Sequence, residues 1–132
     1  YNPGAVFDRM GVEVTTGAAG ACRLAIYRHV APDPSSLILD CGTVDTTSIA
    51  VVEASFTAFA MPTGPFWCAA IFNATPTMRG GTAANTWWAG ATSPSAGVRG
   101  FLATQSYGAA PSTAPTPTSA LSNVPLITLR KS

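Results

Sequence analysis

His29 is the only histidine of the chain, and Asp33 follows it closely across Pro32. An imidazole held by a carboxylate is the centre of a Ser-His-Asp triad, which also needs a nucleophile on a tight elbow. No Gly-x-Ser-x-Gly sequence occurs, and His29 and Asp33 both border a Pro-Asp-Pro loop. His29 therefore reads as an exposed loop histidine. Glycoside hydrolysis asks for two carboxyl groups across one bond. Among the six acids, Asp40 and Asp45 are the pair that one loop face would hold. Flanking a strand end, both read better as acceptors for turn amides, or as partners for arginines. With their threonine neighbours they lack the dense oxygen loop that calcium requires. No catalytic residue, metal ligand or cofactor is expected, and the chain does not read as an enzyme.

Cys22, Cys41 and Cys68 make an odd count, which argues against a closed disulfide framework. Their spacing lacks the close Cys/His pairs of a zinc site. They read as small buried apolar side chains. A Cys22–Cys41 bridge stays open if those two strands pair, whereas a reducing compartment would leave all three as thiols.

The chemistry that remains is recognition by aromatic rings. Trp87 and Trp88 stand in a Gly/Ala/Thr region, preceded by Asn85. Adjacent residues of a strand face opposite ways, so one indole can enter the core while the other points out. An exposed indole beside amides and guanidinium groups suits a sugar, whose apolar C–H face covers the ring while its hydroxyls take the hydrogen bonds. Candidate ligand-binding residues are Trp87, Trp88, Asn85, Arg79, Arg99 and Tyr107. The alternatives are that both tryptophans anchor a long loop, or that one packs at a subunit interface. Trp67, inside an apolar run, reads as core or as subunit interface.

The elements that must position these groups are strands. With 132 residues, 47% of them apolar, the chain has the size of one domain with a core. Charged residues are only 10% of it and the net charge is +1. The six arginines are scattered and Lys131 is the single lysine, so no basic stripe recommends nucleic acid. No apolar run is long enough to span a membrane, and no signal peptide is evident. Ala, Thr, Ser, Gly and Pro replace the missing charge, a surface common where subunits pack together or face the outside of a cell or virion. The chain begins at Tyr1, not Met, and reads as the C-terminal part of a longer protein.

Met10, Val12 and Val14 alternate with polar or small residues, as do Cys22, Leu24 and Ile26; each set marks a half-buried strand. The Thr16 to Gly20 turn between them predicts an antiparallel hairpin. Ala31 to Ser36, with Pro32 and Pro34, predicts a rigid loop outside any central strand. A third strand opens at Leu37-Ile38-Leu39. A fourth spans Ile49 to Phe59 with Ala50, Val52, Ala54 and Phe56 on one face. The Pro62-Thr63-Gly64 turn feeds a fifth, Phe66 to Phe72, apolar on both parities and so covered on both faces. Thr75 to Arg79 is edge-like, Val98 to Tyr107 is a further strand, and Val124 to Arg130 closes the set. Gly108 to Ser119 is Pro/Thr/Ala low complexity and predicts an extended, polyproline-like arm. About eight short strands between Gly/Pro turns predict an all-β fold, an antiparallel β-sandwich or jelly roll.

Three stretches carry a resemblance. Asp8-Arg9-Met10-Gly11-Val12-Glu13-Val14-Thr15-Thr16 followed by Arg23-Leu24-Ala25-Ile26-Tyr27 is one. Leu37-Ile38-Leu39-Asp40-Cys41-Gly42-Thr43-Val44-Asp45 is the second, and Pro62 to Ala70, with its Pro-Gly turn before Phe66-Trp67, is the third. Together they resemble the β-sandwich domain of tailed-phage fibre and spike proteins, also found in phage-derived particles such as gene transfer agents. The likeness spans Val6 to Arg79 and the closing Pro125 to Arg130. The loop after Tyr27 and the region Gly80 to Ser119 depart from it. The resemblance implies a homotrimeric virion module at the distal end of a tail fibre or head spike, meeting other virion proteins and attaching to a host surface polysaccharide or other receptor. A carbohydrate-binding module of a secreted enzyme and a purely architectural capsid or fibre protein are the alternatives.

Overall fold

The computed structural model describes residues 4–81, 100–121 and 124–131. Every regular element among them is a strand. The long ones are β1 Val6–Thr16, β2 Ala21–Val30, β3 Asp33–Asp45, β4 Ala50–Ala60 and β5 Phe66–Phe72. Short segments follow: β6 Thr77–Met78, β7 Gly80–Gly81, β8 Gly100–Leu102, β9 Ser119–Leu121, β10 Val124–Pro125 and β11 Ile127–Arg130.

Two antiparallel sheets share the long strands. One has the order β11-β1-β4, with β6 also beside β1; the other has the order β3-β2-β5. On the edge of β1 away from β4, Arg9 to Val12 meet β11, and Val14 and Thr16 meet β6. The sheets stack as in a β-sandwich. Met10, Val12 and Ala54 from the first meet Cys22, Leu24, Ile26, Cys41 and Val44 from the second in one core. Phe7, Phe56, Phe59, Phe66 and Phe72 surround it.

The alternating runs on β1 and β2 do face the core, but the expected hairpin between them does not form. β1 pairs with β4, β6 and β11, while β2 pairs with β3 and β5. Each strand carries an inward set, Met10, Val12 and Val14 against Cys22, Leu24 and Ile26, at most 2% exposed. Neighbours in one sheet would point both sets the same way and leave them to a third layer. Opposite sheets bury each set against the other. The Gly17 to Gly20 link is therefore a crossing between layers. It is locked by Thr46, which is fully buried: Thr46 N–H donates to the Gly20 carbonyl, the Thr46 hydroxyl to the Ala18 carbonyl, and Ala18 N–H to the Thr46 carbonyl. Gly17 has no room for a side chain, since a Cβ there would lie 2.1 Å from the Thr47 carbonyl oxygen.

The expected Ala31 to Ser36 loop is shorter than its prolines suggest. β3 starts at Asp33, and Pro34 stands opposite His29. A proline is tolerated there because β3 is an edge strand and Pro34 lies at its start. The β2–β3 ladder has three register shifts, between Leu24 and Ala25, Ile26 and Tyr27, and Tyr27 and His29. They resolve the unbroken run Leu37-Ile38-Leu39: Leu37 packs on the outer side of the sheet, while Ile38 and Leu39 pack on the core. On β4 a similar irregularity, Phe7 opposite Phe59 but Arg9 opposite Ser55, lets Phe56 and Phe59 both reach the core despite opposite parity.

The cysteines are free thiols, and Cys22 stands opposite Val44, not Cys41. Burial pushes the thiols of Cys22 and Cys41 up to about 12, and that of Cys68 up to about 11. At pH 8 the native protein should leave Cys22 and Cys41 unlabelled by Ellman's reagent, because only the thiolate attacks and neither sulfur is accessible. Unfolding in guanidinium should release all three thiols. Prompt labelling of Cys22 or Cys41 without denaturant would contradict this packing.

Candidate functional site

The outer side of the β3-β2-β5 sheet holds the richest arrangement of polar and aromatic groups. Tyr27 and Ala25 on β2 are buried there, with Leu37, Trp67, Ala69, Ala110 and Ala114 packed around them. This second cluster explains why Phe66 to Phe72 is apolar on both parities. Phe66, Cys68, Ala70 and Phe72 face the sandwich core, while Trp67 and Ala69 face the outer cluster. Trp67 thus belongs neither to the main core nor, among the described residues, to a bare surface.

The cover over this side is the chain's own Pro/Thr/Ala-rich arm. Between Gly108 and Thr118 it forms no strand, only an isolated bridge at Thr113, and it is docked. Leu37 N–H donates to the Ser112 carbonyl at 2.9 Å and Ala114 N–H to the Ser35 carbonyl at 2.7 Å. Ser36 and Thr113 thereby form an antiparallel bridge along the free edge of β3. The Tyr27 hydroxyl donates to the Pro111 carbonyl at 3.0 Å. These are backbone acceptors and donors that any sequence supplies, so composition alone did not reveal the docking.

Asp40 joins arm, sheet and bulge. Its carboxylate accepts from Arg23 Nε at 2.9 and 2.8 Å, from Arg23 Nη2 at 2.8 Å, from Gly42 N–H at 3.1 Å and from Ala110 N–H at 3.1 Å. Gly42, at φ +95°, sits in the left-handed region that glycine occupies without strain, beside the register shift that turns Asp40 outward. Burial would raise the Asp40 carboxyl, but Arg23 and the Ala110 and Gly42 amides outweigh it and hold the carboxyl below its ordinary range. Burial, then the nearby Asp40 charge, raises the Tyr27 phenol. The expectation that Asp40 serves a turn amide and an arginine describes this geometry, and Asp45 likewise accepts from Thr47 N–H at 2.8 Å.

His29 is corrected by the structure. It lies on β2, half-buried, and its Nδ1 accepts from Trp67 Nε1 at 2.9 Å. That bond places the imidazole proton on Nε2. Trp67 also meets Phe101, with ring centroids 5.2 Å apart. His29 and Asp33 both belong to the β2–β3 hairpin, where Asp33 stands opposite Val30. Nothing in this ring cluster resembles a base–nucleophile pair.

The outer side of the other sheet is ionic. Arg79 forks onto Glu13 at 3.1 and 2.9 Å, and Arg130 forks onto Glu53. Gly11 on the central strand makes the second fork feasible. A Cβ at Gly11 would sit 2.9 Å from Glu53 Cγ and 3.2 Å from Thr128 Oγ1, in the space the two side chains cross. Arg79 was singled out for binding, and its guanidinium is taken by Glu13. Tyr107 is exposed and lies near Arg23. Trp87, Trp88, Asn85 and Arg99 lie outside the described residues. Among the described residues no three His, Cys, Asp or Glu side chains gather as a metal ion would require. Comparison with protein-family models, with curated proteins and with solved structures finds no match.

Proposed function

We propose that the chain is a virion structural and adhesion module, the distal domain of a phage-type tail fibre or head spike. In this reading it works as a homotrimer and holds a host-surface glycan without covalent chemistry, gaining avidity from its copies. The observation that carries the reading is the strand-built body in which several of the few ionic side chains are taken up in pairs. Asp40, Glu13 and Glu53 each hold an arginine, which leaves a Thr/Ser/Ala/Pro surface suited to packing between copies and to neutral ligands. The resemblance of Val6 to Arg79 and of the closing Pro125 to Arg130 to fibre and spike sandwiches points the same way. A jelly-roll description is supported by the order in which the long strands alternate between layers: β1 in one sheet, β2 and β3 in the other, β4 back in the first and β5 in the second.

Trp87 and Trp88 remain the proposed sugar contacts, with Asn85, Arg99 and Tyr107 as further candidates. Light scattering is expected to return three copies per particle, and a glycan array or whole host cells should retain the trimer. Replacing Trp87 and Trp88 by alanine should weaken that retention about tenfold or more, the loss typical of an aromatic anchor, with light scattering unchanged. A monomer that binds glycans would favour a carbohydrate-binding module. A trimer that binds neither glycans nor cells would favour an architectural particle protein.

A further inference from the structure

We infer that residues 100–121 are an exchangeable clasp, and that in the homotrimer proposed above each copy's arm docks on the β3 edge of the next copy. The inference rests on that trimer, and its basis is that this unit forms its own ribbon and meets the body through a few hydrogen bonds, the Ala110 and Ala114 patch and the Phe101–Trp67 ring contact. β8 and β9 pair with each other, Gly100 to Leu121, Phe101 to Ala120 and Leu102 to Ser119, and with neither main sheet. Thr118 closes the loop, donating from both N–H and hydroxyl to the Leu102 carbonyl. Residues 103–118 thus leave and return to one small ribbon. The hydrogen bonds described above that tie the unit to the sheets fall between Ala110 and Ala114.

The receiving surface is continuous and lies on one sheet. It consists of the β3 backbone at Ser35 and Leu37, the Asp40 carboxylate, the Tyr27 hydroxyl and the apolar patch that Ala110 and Ala114 cover. A second copy presents the same surface. Moving the arm there preserves each bond and each apolar contact, which is the condition for low-cost exchange of an identical element. Reach permits it, since half of the loop is about eight residues, or roughly 25 Å when extended. Pro111, Pro115 and Pro117 keep the arm from folding on itself. Its small side chains reach the sheet chiefly through backbone groups, so the copy that supplies the arm is chosen by proximity. Head-to-tail exchange closes a ring of three and leaves no β3 edge open, which an unclasped monomer would expose to unspecific pairing.

The Ser36–Thr113 bridge makes the inference testable. Both residues are exposed. The flanking bonds run from Leu37 to Ser112 and from Ala114 to Ser35, so the two face each other as a pair not hydrogen-bonded to each other. Such pairs lie about 4.5 Å apart at Cα, within the range a disulfide spans. The full chain carrying Ser36→Cys and Thr113→Cys would be oxidised, sized by light scattering and run on a non-reducing denaturing gel. Cys22 and Cys41 are buried and stay out of the reaction once the chain is folded, so oxidation follows folding under reductant, and Cys68→Ala is added to every chain. Exchange predicts covalent dimers and trimers. In a second arm, Ser36→Cys and Thr113→Cys chains, each carrying one substitution, are refolded together, so that every crosslink must join two copies; exchange predicts covalent dimers there too. A trimer by scattering whose oxidised chains all migrate as single chains overturns the exchange and leaves the trimer standing. A monomer by scattering overturns both. A trimer without any disulfide overturns the docking on which the exchange depends.

Discussion

Asp40→Ala is expected to lower the unfolding free energy by about 3 kcal/mol and to release the arm before the sandwich opens. Removing the carboxylate costs a charge-assisted, forked bond to a part-exposed guanidinium, about 1.5 kcal/mol, and takes the acceptor from two backbone donors that water can partly reach, about 0.5–1 kcal/mol each. Those donors are Gly42 N–H, in the bulge, and Ala110 N–H, in the arm. The loss therefore divides between the two places Asp40 joins. Denaturant unfolding should report the total. Hydrogen exchange at Leu37 and Ala114, whose amides make the arm–β3 bonds, should report release of the arm, with Met10 and Leu24 amides still protected. Unchanged exchange at Leu37 and Ala114 would show that the arm holds without Asp40.

The same carboxylate makes the arm acid-sensitive, and the sign follows from its depressed pKa. A carboxyl lowered in the folded state contributes stability above its unfolded pKa of about 3.9, and loses it as pH falls through the folded value. Arm protection in the wild type should therefore decline below about pH 4. In Asp40→Asn it should be weaker at neutral pH and nearly flat over that range. Glu13 and Glu53 are also lowered, chiefly by hydrogen bonds from Arg79 and Arg130. Global stability thus mixes several groups, whereas the Leu37 and Ala114 amides read Asp40 alone.

Hydrophobic alternation showed which residues of β1 and β2 face inward, because period two is a property of one strand. It did not show that the strands occupy different layers, since a strand's neighbours depend on the loop that leaves it. The decisive residues there, Gly17 and Thr46, carry no periodic signal. Asp40 was legible in kind, as an acid at a strand end that serves turn amides or an arginine. Its third partner, Ala110, comes from a low-complexity segment seventy residues away in the chain, and no spacing rule connects them. A signal for the covered outer side was present in Trp67 and Ala69, apolar on the parity that should face water. It implied a cover without identifying one, because Pro, Ser, Thr and Ala dock through their backbones. Trp87 and Trp88 stay where the sequence left them, as the proposed contacts whose test is binding.

Leu24→Ala should be the most damaging single truncation, at about 4 kcal/mol, toward the upper end of the 2–5 kcal/mol that buried leucines cost. Leu24 is fully buried at the centre of β2. Its direct neighbours on the inner side of the sheet are Gly42 on β3 and Ala70 on β5. One isobutyl group therefore fills the width of three strands, and neither neighbour has a side chain able to move into the gap. Gly42 adds a backbone constraint, since φ +95° resists the enlargement that would refill the space. Met10 and Met61, unbranched and in the same cluster, are the buried flexible side chains available to relax. Leu24→Met keeps the volume and should cost less than about 1.5 kcal/mol. Chemical denaturation of both variants measures the contrast. An alanine variant within about 1 kcal/mol of wild type would mean that the core collapses around position 24, contrary to a packing in which Gly42 and Ala70 exist to make room for that leucine.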